Sequence, residues 1–182
     1  MIKKALFSAL ILIVFSLFTS MNLEQENPDY KYWSEQKLTY DDFKGQPDAK
    51  SKKSAESKFM VDILDIHLEN NIPKYNVRSF LKRNESWMVL CDETTLSREQ
   101  LVFDMHEISA RKIRKAFDSL NKIKVTEGEN YQIVFDANIE KAEKQIDAFN
   151  RESSSNPKKQ KVWQKKIVSE LAQLQAYAAQ SK

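Results

Sequence analysis

Between Ser97 and Leu120 the chain reads SREQLVFDMHEISARKIRKAFDSL. In this stretch Val102, Met105, Ser109, Ile113, Ala116, Phe117 and Leu120 recur at the three- and four-residue steps of one helix face. A stripe of that length needs cover along its whole extent, so the flanking segments have to supply it. Ser97 and Gln100 fit a capping box, and Thr94 offers an earlier start. Arg98 lies at the edge of the stripe, where a guanidinium must reach water or a partner.

The cover is expected from both sides. Upstream, Phe59, Val61 and Ile63 alternate along Lys58 to Leu68 before Leu64, Ile66 and Leu68 take over the period. That switch predicts a bulge near Asp62 to Asp65 or a strand covered on both faces. Asn70-Asn71-Ile72-Pro73 suits a hairpin into a second strand, Lys74 to Arg83, with Tyr75, Val77, Ser79 and Leu81 on one face and Phe80 on the other. Downstream, Tyr131, Phe135, Ile139, Ala142, Ile146 and Phe149 predict a second helix, broken over Arg151 to Asn156. Asn156 then caps a third helix opened by Pro157, with Trp163, Ile167, Leu171, Leu174 and Ala178 inward. The expected class is α+β, a small antiparallel sheet packed against about three helices.

Residues 1–20 carry Lys3 and Lys4 before an apolar run from Ala5 to Phe18, which predicts a signal peptide or N-terminal anchor. The run is shorter than the ~20 residues of a comfortable membrane span. Residues 21–32 are polar and expected to be flexible, and 33–182 form a single domain. Of 29 basic side chains, 27 remain after Lys3 and Lys4 are set aside, against 26 acidic ones. That balance gives no reason to invoke nucleic acid. Gly45 and Gly128, the two glycines, belong to no phosphate loop. Cys91 is the single cysteine, so no internal disulfide is available, and it is expected to be buried as a small hydrophobe.

Several motifs occur in one order. Leu38-Thr39-Tyr40-Asp41-Asp42-Phe43-Lys44-Gly45 comes first, then Ser86-Trp87. Next is Arg98-Glu99-Gln100-Leu101-Val102-Phe103-Asp104 with Glu107 and Ala110-Arg111-Lys112-Ile113-Arg114-Lys115. Phe149-Asn150-Arg151-Glu152-Ser153-Ser154-Ser155 follows, and finally Gln160 with Trp163. Over roughly Trp33 to Leu174 this order resembles a bacterial family of predicted secreted zinc-dependent proteases. Its members carry L-T-W-x-D-F-x-G, S-W, H-E-Q-x-H-F-D with A-R-K-L-R-K, Y-D-x-E-T-x-H and Q-x-x-W.

In an H-E-x-x-H helix the two imidazoles stand one above the other on a Zn²⁺ ion, and the Glu serves as general base. The resemblance places those ligands at Arg98 and Val102, with a third at Ser155, leaving Glu99 as a vestige. Arg98 is a permanent cation and Val102 has no lone pair. The resemblance therefore implies a zincin-like remnant with no catalytic residues, no cofactor and no metal. Such a chain would be exported, a binding or scaffold module of the cell envelope, periplasmic or extracellular, serving an unknown peptide or protein and meeting the membrane only through its N-terminal segment, a tether to the inner membrane if left uncleaved. The alternative is a secreted hydrolase with an atypical site, for which Glu99 and Glu152 offer a carboxylate pair. No Ser triad or G-x-S-x-G supports it.

Glu152, Glu99 and Asp104 are the candidate partners of Arg98. His106 with Glu107 lacks an upstream ligand at helical spacing, and His67 is expected at the sheet surface. Asp104 with Lys112 and Glu107 with Arg111 are expected ion pairs, and the Arg111, Lys112, Arg114, Lys115 cluster is expected to be a solvated face.

Overall fold

A computed structural model of the protein describes residues 27–33, 36–154 and 156–179. The expected signal segment, Ser155 and the last three residues lie outside these ranges. The α+β class holds. Strands β1 (Tyr30–Tyr32), β2 (Ala55–Glu56), β3 (Phe59–Glu69), β4 (Ile72–Lys82) and β5 (Trp87–Met88) precede helices α1 (Glu93–Lys122), α2 (Gly128–Ser153) and α3 (Pro157–Gln173). The larger antiparallel sheet has the order β1-β4-β3, and β2 pairs with β5 in a smaller one.

The long hairpin follows from its turn. Asn70 and Asn71 take φ of 51° and 63°, the left-handed region that asparagine tolerates better than most residues, so a two-residue turn brings Glu69 opposite Ile72. The expected bulge is present between Ile63 and Asp65. Beyond it the strand is not covered on both faces, for Ile66 and Leu68 are 57% and 69% exposed. On the other side of β4, Tyr30 to Tyr32 pair with Phe80 to Lys82. Residues 21–26 of the segment expected to be flexible lie outside the described residues, and for Tyr30–Tyr32 the expectation gives way to a strand: the Tyr30 ring stacks on Phe80 at 4.3 Å and covers the outer face that the strand's alternation left open.

Helix α1 starts earlier than its capping box suggests. Asp92 is the N-cap, accepting from the Thr94 and Thr95 amides at 2.9 and 3.0 Å, and Ser97 lies inside the first turns. The helix ends where Lys124 takes φ of 57° and the Lys124 and Val125 amides fold back onto the carbonyls of Asn121 and Leu120. Its thirty residues run about 45 Å at 1.5 Å per residue.

The buried surface of α1 is wider than one stripe, because three groups of side chains claim three of its sides. Ala110, Ile113 and Phe117 pack on Val61, Val77 and Tyr131; Leu101, Met105 and Ile108 pack on Phe149, Ile167 and Leu174; Phe103 packs on Leu38, Phe59 and Leu81. Each fully buried side chain of this size contributes roughly 1.5–3 kcal/mol. The helix is thus the axle between sheet and helical layer. Helix α3 begins as expected, with Asn156 accepting from the Lys159 amide and Pro157 in the first turn. Cys91 is exposed, against expectation, because it falls in the connector just before the Asp92 cap.

Gly45 closes the loop that leads toward the sheet. Its amide donates to the Ser86 carbonyl at 2.7 Å, and a Cβ there would meet the carbonyl oxygens of Ser86 and Asn84 at 2.8 and 2.9 Å. Those atoms belong to backbone that is itself pinned, since Ser86 Oγ donates to the Lys82 carbonyl and accepts from the Lys58 amide. Gly45→Ala is therefore expected to cost about 1–3 kcal/mol, read as a lower urea midpoint. An unchanged midpoint would show that the loop can withdraw freely.

Candidate functional site

The positions that the resemblance marks as metal ligands lie near the start of α1, against the end of α2. Phe149 supplies the apolar floor, fully buried among Leu101, Met105 and Ile108, with half-buried Val102 packed beside them. Over that floor reaches Arg98. Its Nη2 donates to Asn150 Oδ1 at 2.7 Å, its Nη1 donates to Ser153 Oγ at 3.1 Å, and its guanidinium carbon stands 5.1 Å from the centre of the Phe149 ring. Ser153 is buried and passes its own proton to the Phe149 carbonyl at 2.6 Å.

Arg98 thus meets an amide, a hydroxyl and a ring face. None of the three carboxylates expected as partners takes that place. Glu152 accepts from Trp163 Nε1 at 3.1 Å, and Asp104 accepts from Trp33 Nε1 and Gln100 Nε2, both at 2.8 Å. Glu99 accepts from Ser57 Oγ at 2.5 Å. Burial raises the Glu99 carboxyl above the usual range, and the Ser57 hydrogen bond and the Arg98 charge act against that rise.

This donor set does not fit a zinc ion. A guanidinium occupies the first ligand position and is held there by two hydrogen bonds, and the second position is a packed valine. Glu99, to which the resemblance would give the general-base position, is bound to Ser57. Among the described residues no group of three His, Cys, Asp and Glu side chains is gathered as metal ligands would be. His67 is exposed, 3.6 Å from Asp65. His106 places Nδ1 2.9 Å from the Val102 carbonyl and its ring 5.5 Å from that of Phe59. Glu107, its neighbour in sequence, faces elsewhere.

The second polar centre corrects the expectation of a solvated basic face. Arg111 and Glu107 are 1% exposed, and their ion pair forms at 2.9 Å, as the spacing of four predicts. Arg114 Nη2 donates to the same carboxylate oxygen at 2.6 Å, and Ser79 Oγ donates to the other, also at 2.6 Å. Other guanidinium donors find main chain or amide: Arg111 Nη1 on the Leu171 carbonyl and Gln175 Oε1, Arg114 Nε on the Tyr177 carbonyl, and Arg114 Nη1 on the Val77 carbonyl. Trp33 roofs Arg111 at 4.9 Å. Burial lowers the Arg114 pKa and Glu107 opposes the shift. Lys112 does not reach Asp104, pairing with Glu170 on α3 instead, and Lys115 alone of the four is exposed.

Sequence alone did not single out Asn150, Ser153, Ser57, Ser79 and Trp33 as partners. The second helix was expected to break at Arg151 but runs on to Ser153, which sets Asn150 and Ser153 three apart on one helix, within the segment that the resemblance already brings to the ligand positions. That spacing was the available signal.

His106 makes a pH prediction with a definite sign. Burial lowers its pKa from the ordinary value of 6.5, so the unfolded chain takes the proton first. Its stabilising contribution is present above about pH 6.5 and is lost as pH falls. Glu99 and Asp104, both raised by burial, act in the opposite sense, contributing most at low pH and losing that contribution as pH rises through their raised values. Those carboxylates are common to wild type and His106→Gln. Urea midpoints at about pH 7.5 and about pH 5.5 should therefore show a larger acid-induced loss in wild type than in the variant. Equal losses would mean that His106 is protonated in the folded protein.

No family model, curated protein or solved structure matches the chain.

Proposed function

We propose that the protein is a metal-free relative of the secreted zinc-dependent protease family, exported to the cell envelope, where it binds a peptide or protein partner rather than hydrolysing one. The observation that carries this proposal is the reach of Arg98 from α1 to Asn150 and Ser153 at the end of α2. The resemblance puts the metal between those two segments. A guanidinium supplies there the positive charge and the cross-link that a metal would otherwise provide, without its Lewis acidity.

The hydrolytic alternative has less to stand on. A general base needs a proton to abstract within hydrogen-bond reach, and the group that Glu99 meets is the Ser57 hydroxyl. Its would-be carboxylate partner, Glu152, is exposed and engaged by Trp163. Export rests on the N-terminal lysines and apolar run. Among the described residues no helix is long and apolar enough to cross a membrane.

Metal analysis tests the proposal. The purified full chain, equilibrated with zinc and freed of excess, is expected to retain no stoichiometric zinc. The triple variant Arg98→His, Val102→His, Ser155→His is expected to retain one ion per chain, because the resemblance puts these three positions around one metal and three imidazoles form a zinc site. Tight zinc in the wild type would overturn the metal-free assignment. Failure of the triple variant, with folding intact by circular dichroism, would overturn the placement of the ancestral ligands.

A further inference from the structure

We propose that the solvent face of α3 is a lipid-headgroup surface, built to lie on an anionic phospholipid layer. The charge of the protein is nearly balanced as a whole and strongly segregated in its parts. Helix α3 carries Lys158, Lys159, Lys161, Lys165 and Lys166 against one acid, Glu170, and that acid is taken by Lys112 of α1. Helix α2 runs the other way, with Glu129, Asp136, Glu140, Glu143, Asp147 and Glu152 against Lys141, Lys144 and Arg151. The lysines of α3 are all exposed, and among the described residues none has a carboxylate partner.

Geometry adds a second feature. Ile167 and Leu174 fix the inward side of α3, leaving the lysines spread over the opposite side along about 12 Å of helix. Val162 sits in their midst, 64% exposed, with Lys158 and Lys159 one turn before it and Lys165 and Lys166 one turn after. Val168, 57% exposed, continues the face beside Lys165. A soluble surface gains nothing from an aliphatic side chain ringed by four ammonium groups. At a bilayer the arrangement is complementary, because the ammonium groups meet phosphate while the valine enters the boundary between headgroups and acyl chains.

The chemistry favours lipid over nucleic acid or an acidic protein. The face holds no arginine for bidentate recognition and no exposed ring for base stacking; Trp163 is half-buried, and Lys166 lies over its ring at 4.7 Å. This inference rests on charge and exposure and is independent of the zinc-protease relationship.

The test is co-sedimentation of the full chain with vesicles of phosphatidylcholine alone and of phosphatidylcholine mixed with phosphatidylglycerol. The apolar N-terminal run partitions into both, so the quantity read is the ratio of anionic to neutral binding. That ratio is expected to exceed one and to fall about fivefold with Lys165→Gln. When all five lysines are changed to Gln it should fall to the small excess left by Lys3 and Lys4 at the N-terminal run, and it should shrink as salt shortens the screening length from about 10 Å to about 3 Å. Circular dichroism checks that the variants stay folded. Val162→Ser is expected to weaken binding to anionic vesicles and to leave binding to soluble polyglutamate unchanged. A wild-type ratio of one, or a ratio that survives the fivefold Gln change, would overturn the proposal. Polyglutamate bound as tightly as the vesicles, with no effect of Val162→Ser on either, would assign the face to acidic polymers instead.

Discussion

One carboxylate, that of Glu107, holds two guanidiniums and a serine hydroxyl inside the protein, and the arrangement of sheet and helices depends on it. Two cations and one anion leave a net positive charge in a place shielded from water, which is costly unless every remaining donor is satisfied. Main-chain carbonyls from three different elements serve donors of both arginines: Val77 on β4, Leu171 on α3 and Tyr177 in the turn after α3. Because those carbonyls lie far apart in sequence, satisfying the arginines also fixes where β4 and the C-terminal turn sit relative to α1. Arginine suits this task better than lysine, since its planar fork serves several acceptors at once and its face packs under Trp33.

The two polar centres of α1 divide the work between them. Near its start, Arg98 ties the helix to the end of α2 through an amide and a hydroxyl; in its middle, Glu107, Arg111 and Arg114 tie it to the sheet and to α3. Trp33 and Asp104 stand between, with Asp104 holding both Trp33 and Gln100 while Gln100 accepts from the Leu38 amide. A helix secured on three sides is a rigid element for presenting a surface and a poor one for chemistry that needs an open coordination position. The exposed aliphatic side chains lie elsewhere, at Val162 and Val168 on the outer face of α3 and at Ile66 and Leu68 on the distal hairpin.

Elements set by local chemistry were legible in the sequence. Asn156-Pro157 marks the start of α3, Asn70-Asn71 the hairpin turn and the phase switch at Asp62 to Asp65 the bulge, because caps, turns and alternation act over a few residues. Burial of charge was not legible in the same way. Periodicity sorts Arg111 and Arg114 outward as polar, and only the return of the chain after α3 supplies the carbonyls that let them stay inside. The partner of Arg98 was sought among carboxylates, although an asparagine, a serine and a phenylalanine ring together satisfy it. The pairing of Tyr30 to Tyr32 was hidden for a related reason: three residues carry no periodicity, and the Phe80 face they cover exists only once β4 is in place.

Replacing Glu107 by glutamine keeps the side chain's shape, one carbonyl acceptor and its contact with Ser79, and removes the negative charge. Its stability relative to wild type, from urea unfolding at neutral pH, tests most directly whether this carboxylate holds the fold together. A buried guanidinium and a half-buried one left without their counter-charge should cost about 3–5 kcal/mol. A midpoint within error of the wild type would contradict the account, showing that the carbonyls and Trp33 suffice and that the ion pairs are incidental to the packing.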